Sequence, residues 1–95
     1  MALQIGSNVI VCTAVKGVFA GVLLERDGDK ATLGDARYCV YWHESVHGMP
    51  GLANKGPNAK CRISPSAETV EIFGVTAILA MTDEAAAAWA AEPWS

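Results

Sequence analysis

The tightest constraint on how this chain can fold is Asp27-Gly28, set between the strand-prone runs Val18–Arg26 and Lys30–Leu33. An Asp-Gly pair accepts the positive φ values of a tight hairpin turn, so the two runs are expected to fold back on each other as antiparallel neighbours. The run Val9–Val15 before them is rich in β-branched residues and, apart from Thr13, apolar at consecutive positions. That pattern predicts a central strand covered on both faces, with Lys16-Gly17 as the turn that follows. Gly21 predicts a bulge or a close backbone approach within its strand. Gly34-Asp35 predicts another turn, and Arg37–Trp42 a fourth strand. Alternation along it puts Tyr38, Val40 and Trp42 on one face and Arg37, Cys39 and Tyr41 on the other.

The periodicity lapses from His43 to Asn58, where Gly48, Pro50, Gly51, Gly56 and Pro57 fall. A long loop is expected there, with a single helical turn near Leu52-Ala53; loops of this length in small domains commonly carry function. Lys60–Ser64 predicts a short strand, Ser64-Pro65-Ser66 a turn, and Thr69–Met81 extended chain broken at Gly74. Thr82 is placed to cap a helix over Asp83–Ala91, with Asp83 and Glu84 suiting its positive end and Pro93 stopping it. Trp89 is the large apolar anchor of that helix, and Trp94 lies just past its end. The fold class is therefore α+β: a small antiparallel β-sheet or partly closed barrel with one C-terminal helix, in a single domain over residues 1–95.

Hydrophobic residues make up 52% of the chain and charged residues 18%. A domain this small has too little interior to hide all of that apolar area, so a homo-oligomer is expected. The net charge is −3, with no run of Lys or Arg, which argues against a duplex nucleic-acid partner. Cys12, Cys39 and Cys61 are three widely spaced thiols beside apolar runs, as expected of buried free cysteines in a reducing cytoplasm. Met1–Gly6 has neither the charged start nor the apolar stretch of a secretion signal, and the apolar runs are too short to cross a membrane. The expected compartment is the cytoplasm.

His43-Glu44-Ser45-Val46-His47 matches H-E-x-x-H. On a helix the two histidines would share a face and bind zinc, with the glutamate as general base; this is the route to a zinc-dependent hydrolase. Against it, the motif follows directly on a strand, Gly48 and Pro50 come at once after it, and only Glu68 offers itself as a third ligand. No nucleotide-loop, dinucleotide-binding or serine-hydrolase motif is present, and nothing in the sequence requires a cofactor. The leading expectation is a protein that is not an enzyme and holds no metal.

The constellation with most to offer is Arg37 beside Tyr38, Tyr41 and Trp42, with Phe19 joining if the strands pair. A guanidinium next to aromatic faces can grip phosphate while a base stacks on a ring. The ligand-binding set expected for a small anionic ligand is thus Phe19, Arg37, Tyr41 and Trp42, with Arg62 as an outer contributor. The same aromatics would serve equally as core or subunit interface.

Several of these stretches occur together in a pattern: Val9–Val11, then Gly17–Leu23, Asp35-Ala36-Arg37 with Tyr41-Trp42, Leu52–Gly56, Cys61-Arg62, Thr82, the alanine helix and Trp94. In this order the chain resembles a family of short phage and prophage proteins. It departs from that pattern at His43-Glu44, where small residues are expected, and at Pro50 and Gly51, where the family has a helical segment. The resemblance implies a non-enzymatic accessory protein acting against host defence. It would sequester a nucleotide-derived signal in a pocket between subunits or block a host protein. A protein-binding inhibitor or a phage structural component without a ligand pocket is the alternative.

Overall fold

The hairpin organises the sheet. The computed structural model describes residues 4–13 and 17–92. Within them, β1 (Asn8–Thr13), β2 (Val18–Asp27), β3 (Lys30–Tyr41), β4 (Arg62–Ile63), β5 (Ala67–Ile72) and β6 (Val75–Ala80) form one antiparallel sheet. The tight turn is there, one residue later than expected: Asp27 pairs with Lys30, and Gly28, at φ +60°, takes the left-handed position. Strand order is β4-β3-β2-β1-β6, and β5 pairs with the first half of β3. β1 is central as expected, with Val9 and Val11 buried on one face and Ile10 and Cys12 on the other. β5 and β6 follow each other through Phe73-Gly74 without pairing, so the sheet is open and the partly closed barrel is not formed.

Gly34-Asp35 is not a turn. β3 runs straight through it, and the pair forms a β-bulge instead. Ala20 lies opposite Arg37 while Val22 lies opposite Gly34, so β3 carries one extra residue there, with Asp35 at φ +48°. A short polar side chain such as Asp tolerates that left-handed backbone. The bulge reverses the alternation of the strand. Ala31 and Leu33 face the same apolar cluster as Ala36, although their parity differs. Gly21 makes the predicted close approach at this point: a Cβ on it would lie 2.8 Å from the Gly34 carbonyl oxygen.

Two apolar clusters result, one on each face of the sheet. Val9, Val11, Leu23, Leu33 and Ile72 fill one. The other, built on Ile10, Ala20, Cys39, Leu52, Ile63 and Trp89, lies under the helices. The His43–Asn58 segment is not a plain loop. It holds a short 3₁₀ helix (Glu44–Val46) and α1 (Gly48–Asn54); the helical turn expected near Leu52-Ala53 is there, lengthened into a seven-residue helix that begins before Pro50. Pro50 sits in the first turn of α1, where the missing N–H is not needed. Gly51 is what the packing demands, since a Cβ there would overlap the Val46 carbonyl.

α2 (Asp83–Ala91) forms as expected, with the Thr82 hydroxyl accepting from Ala85 N–H at 3.0 Å. The same hydroxyl donates to the Asn54 carbonyl, and the indole N–H of Trp89 donates to the Leu52 carbonyl at 3.2 Å, so α2 is tied to α1 at two points. Ala14, Val15 and Lys16 of the first predicted strand and turn, and Pro93 and Trp94, lie outside the described residues. Replacing Gly51 by alanine should destabilise the domain by roughly 3 kcal/mol through this overlap, whereas Gly28→Ala, with open space around it, costs only its left-handed backbone. Urea unfolding midpoints of the two variants check the ordering.

Candidate functional site

Among the expected ligand residues, Arg37 has the most definite surroundings. After the bulge its side chain points to the helix side, and its guanidinium is held by backbone oxygens. Nε donates to the Ser64 carbonyl at 2.8 Å, and Nη1 donates to the carbonyls of Trp89 and Glu92. The last turn of α2 has no basic residue of its own. Arg37 supplies that charge from the sheet, on carbonyls a helix end leaves without partners. Nε and Nη1 thus fasten α2 and the Ser64 turn to β3, and Arg37 does not line the cleft that Tyr41 and Trp42 share.

The aromatic residues divide. Phe19 lies opposite Tyr38, and their rings are 5.0 Å apart and tilted by 43°, on the face away from the helices. Phe19 packs there against the cluster of Val9, Val11 and Leu33 and does not line a ligand cleft with Tyr41. Trp42 leaves the predicted alternation, because β3 ends at Tyr41 and the chain turns toward the 3₁₀ helix. Its ring packs against the cluster under the helices, on the side of Cys39.

Tyr41 and Trp42 do share an open cleft of about 670 Å³, with Cys12, Tyr38, Cys39 and Met49 among its walls. Tyr41 is 50% exposed and Val40 49%, so the rim is apolar and open. No Lys or Arg lines it among the described residues. The nearest cation by register is Arg62, the cross-strand partner of Tyr41 and itself exposed. The register is irregular between Cys39 and Tyr41, and Arg62 is not among the residues that line the cleft.

His43 and His47 are not placed as H-E-x-x-H requires. Glu44–Val46 is a 3₁₀ turn, His43 precedes it in extended conformation, and His47 is left-handed at φ +63°. His43 Nδ1 accepts from the backbone N–H of Ser45, capping that turn, and lies 3.0 Å from the Ser45 hydroxyl, which accepts from the Asn58 side-chain amide. The helix that would bring both imidazoles to one face, as H-E-x-x-H requires, is not formed. Among the described residues no group of three or more His, Cys, Asp or Glu is gathered as metal ligands.

The three cysteines are buried and unpaired, as expected. Burial pushes the Cys39 thiol up to about 12, with Cys61 alongside adding to the rise and the Tyr41 backbone N–H opposing it. Burial also raises Cys12, whose Sγ donates to Met49 Sδ at 2.9 Å. At neutral pH Cys12 and Cys39 are neutral thiols and poor nucleophiles. The sulfur contact at the cleft, Cys12 with Met49, was not legible in the sequence, where the residues stand 37 apart. Nor was the use of Arg37, whose partners are all main-chain atoms.

A family model for a domain of unknown function, DUF6948, matches residues 6–89. The chain belongs to this family. The match spans every strand and nearly all of α2, so the DUF6948 domain is the whole sheet together with its helices. No curated protein and no solved structure matches the chain. No helix among the described residues is long and apolar enough to cross a membrane.

Arg37→Met should lower stability by about 2 kcal/mol, since partly buried carbonyls lose a charged donor, and Arg37→Lys should recover only part of it. Urea unfolding, with far-UV circular dichroism to follow helix content, measures both. A second expectation concerns alkali. The folded state keeps the Cys39 proton up to about 12 against an ordinary 9.0. Its contribution is whole below pH 9 and is lost as pH rises towards 12. The unfolding midpoint should therefore fall across that window, and less steeply in Cys39→Ala.

Proposed function

We propose that this domain is a non-enzymatic binding protein whose working surface is the cleft at the end of β3. The ligand it fits best is a small nucleotide-derived molecule. Its flat, weakly polar base would lie against Tyr41 and Trp42, and its phosphate would meet Arg62 at the rim. The observation that carries this reading is the cleft itself. A volume of about 670 Å³ is within the usual range for small-molecule sites, and it combines apolar walls with an exposed aromatic face. The anionic part of the ligand is left to Arg62, because Arg37 is engaged elsewhere.

The setting belongs to the same proposal: an accessory protein of phage or prophage, active in the host cytoplasm against a defence signal and working as a homo-oligomer. It rests on the resemblance described above and on the apolar composition. A second reading has one observation in its favour. Val40, Tyr41 and Met49 are exposed apolar residues on one rim, the sort of surface an inhibitor offers a host protein.

Calorimetry against a panel of nucleosides, nucleotides and cyclic nucleotides separates the two. The small-ligand reading expects heat with part of the panel. Tyr41→Ala should weaken that binding roughly tenfold or more, and Arg62→Ala should weaken the phosphorylated ligands but not the bare nucleosides. Silence across the panel from folded protein would remove the nucleotide reading and leave the protein-binding one.

A further inference from the structure

β6 is the last strand of the sheet on its β1 side, and among the described residues nothing pairs with its outer edge. Which of its backbone groups face outward follows from the register. Met81 N–H donates to the Asn8 carbonyl at 3.0 Å, and Ile10 lies opposite Leu79 and Cys12 opposite Ala77. In an antiparallel ladder bonded and non-bonded pairs alternate, so Ala77, Leu79 and Met81 turn their polar groups to β1. The N–H and C=O of Ile78 and Ala80 therefore point off the sheet.

Natural edge strands are normally blunted by charge, proline or shortness. β5, on the far side of the sheet, has Glu68 and Glu71 within it, both exposed, and β4 is only two residues long. β6 has none of these. Val-Thr-Ala-Ile-Leu-Ala is six residues without a charge or a proline, and Thr76, Ala77 and Ala80 are exposed. Small side chains at 77 and 80 leave the backbone approachable.

We infer that β6 is the self-association edge of this domain, pairing antiparallel with β6 of a second copy about a two-fold axis near Leu79. The occupant follows from complementarity. A strand with no charge meets its own copy without repulsion, in a chain whose net charge is −3. About an axis at Leu79, Ile78 of each copy lies opposite Ala80 of the other, and the outward N–H and C=O groups satisfy each other. The half-buried Leu79 side chains meet at the centre, where the closest cross-strand contact of such a ladder falls. The two sheets then join into one continuous sheet. With the axis at Leu79, Thr76, which lies in the wall of the aromatic cleft, falls opposite Thr82 of the second copy, just past the end of its β6. This gives a geometry to the self-association proposed above, and its test uses no ligand, so either can fail alone.

The test is Ala80→Pro in the full chain. Its N–H is one of the outward donors, so proline removes no bond to β1 and keeps the extended backbone. Sedimentation equilibrium of the wild type at micromolar concentration should give twice the 10.0 kDa mass of one chain, and Ala80→Pro should give the single mass with its urea midpoint unchanged. Ala80→Lys, which charges the same edge, should do the same if the proline variant does not fold. Amide hydrogen exchange of the wild type should slow at Ile78 and Ala80 as protein concentration rises. A wild type that stays monomeric overturns the inference. So does a dimer that persists in the folded variants, or one whose Ile78 and Ala80 amides exchange freely.

Discussion

The guanidinium of Arg37 is the point at which sheet, turn and helix are joined. One planar cation reaches the Ser64 carbonyl, which follows β4, and the carbonyls of Trp89 and Glu92 at the end of α2. A helix of nine residues, most of them alanine, has little side-chain surface with which to hold itself to a sheet. Its position rests on Trp89, on the Thr82 contacts to α1, and on this charge-assisted clamp at the negative end of its dipole. With α2 in place the cluster around Ile10, Cys39 and Leu52 is covered.

The cleft is a product of the same arrangement. β3 outruns β2, so among the described residues its last residues, Cys39 to Tyr41, have only the two-residue β4 paired beside them. The chain then turns away through the 3₁₀ helix, which brings Trp42 down to the core and leaves Tyr41 half exposed. Met49, from α1, closes the far wall through its contact with Cys12. The aromatic surface is therefore held by three separate elements, and its chemistry is that of rings, thiols and a thioether rather than fixed charge.

Much of the sheet was legible in the sequence because its signals are local. The hairpin glycine, the β-branched run of β1, the break at Gly74 and the cap at Thr82 each act within a few residues. What was misread depends on tertiary partners. Gly34-Asp35 carries turn residues, but a left-handed Asp also suits a bulge, and only the pairing of β2 decides between them. Gly51 reads as a helix breaker until the Val46 carbonyl that excludes any side chain is in view. Arg37 beside aromatic residues reads as a ligand clamp, and its acceptors, being backbone carbonyls, leave no trace in side-chain identity. Of the expected ligand set, Tyr41 and Trp42 meet at the cleft, Arg62 is the cross-strand partner of Tyr41, and Phe19 and Arg37 do not line the cleft.

The bulge at Asp35 has a consequence for how this family can vary. Every residue of β3 after it is turned over relative to those before it. Shortening the chain by one residue between Gly34 and Ala36 would drive the Arg37 charge into the apolar cluster of Val9, Val11 and Leu33, and carry Tyr38 to the helix side. Most single substitutions there change one contact; a one-residue deletion would invert half a strand. Relatives should therefore differ in length at the β2–β3 tip or in the 43–58 segment, and keep the spacing across positions 34–36 fixed even where the side chains drift.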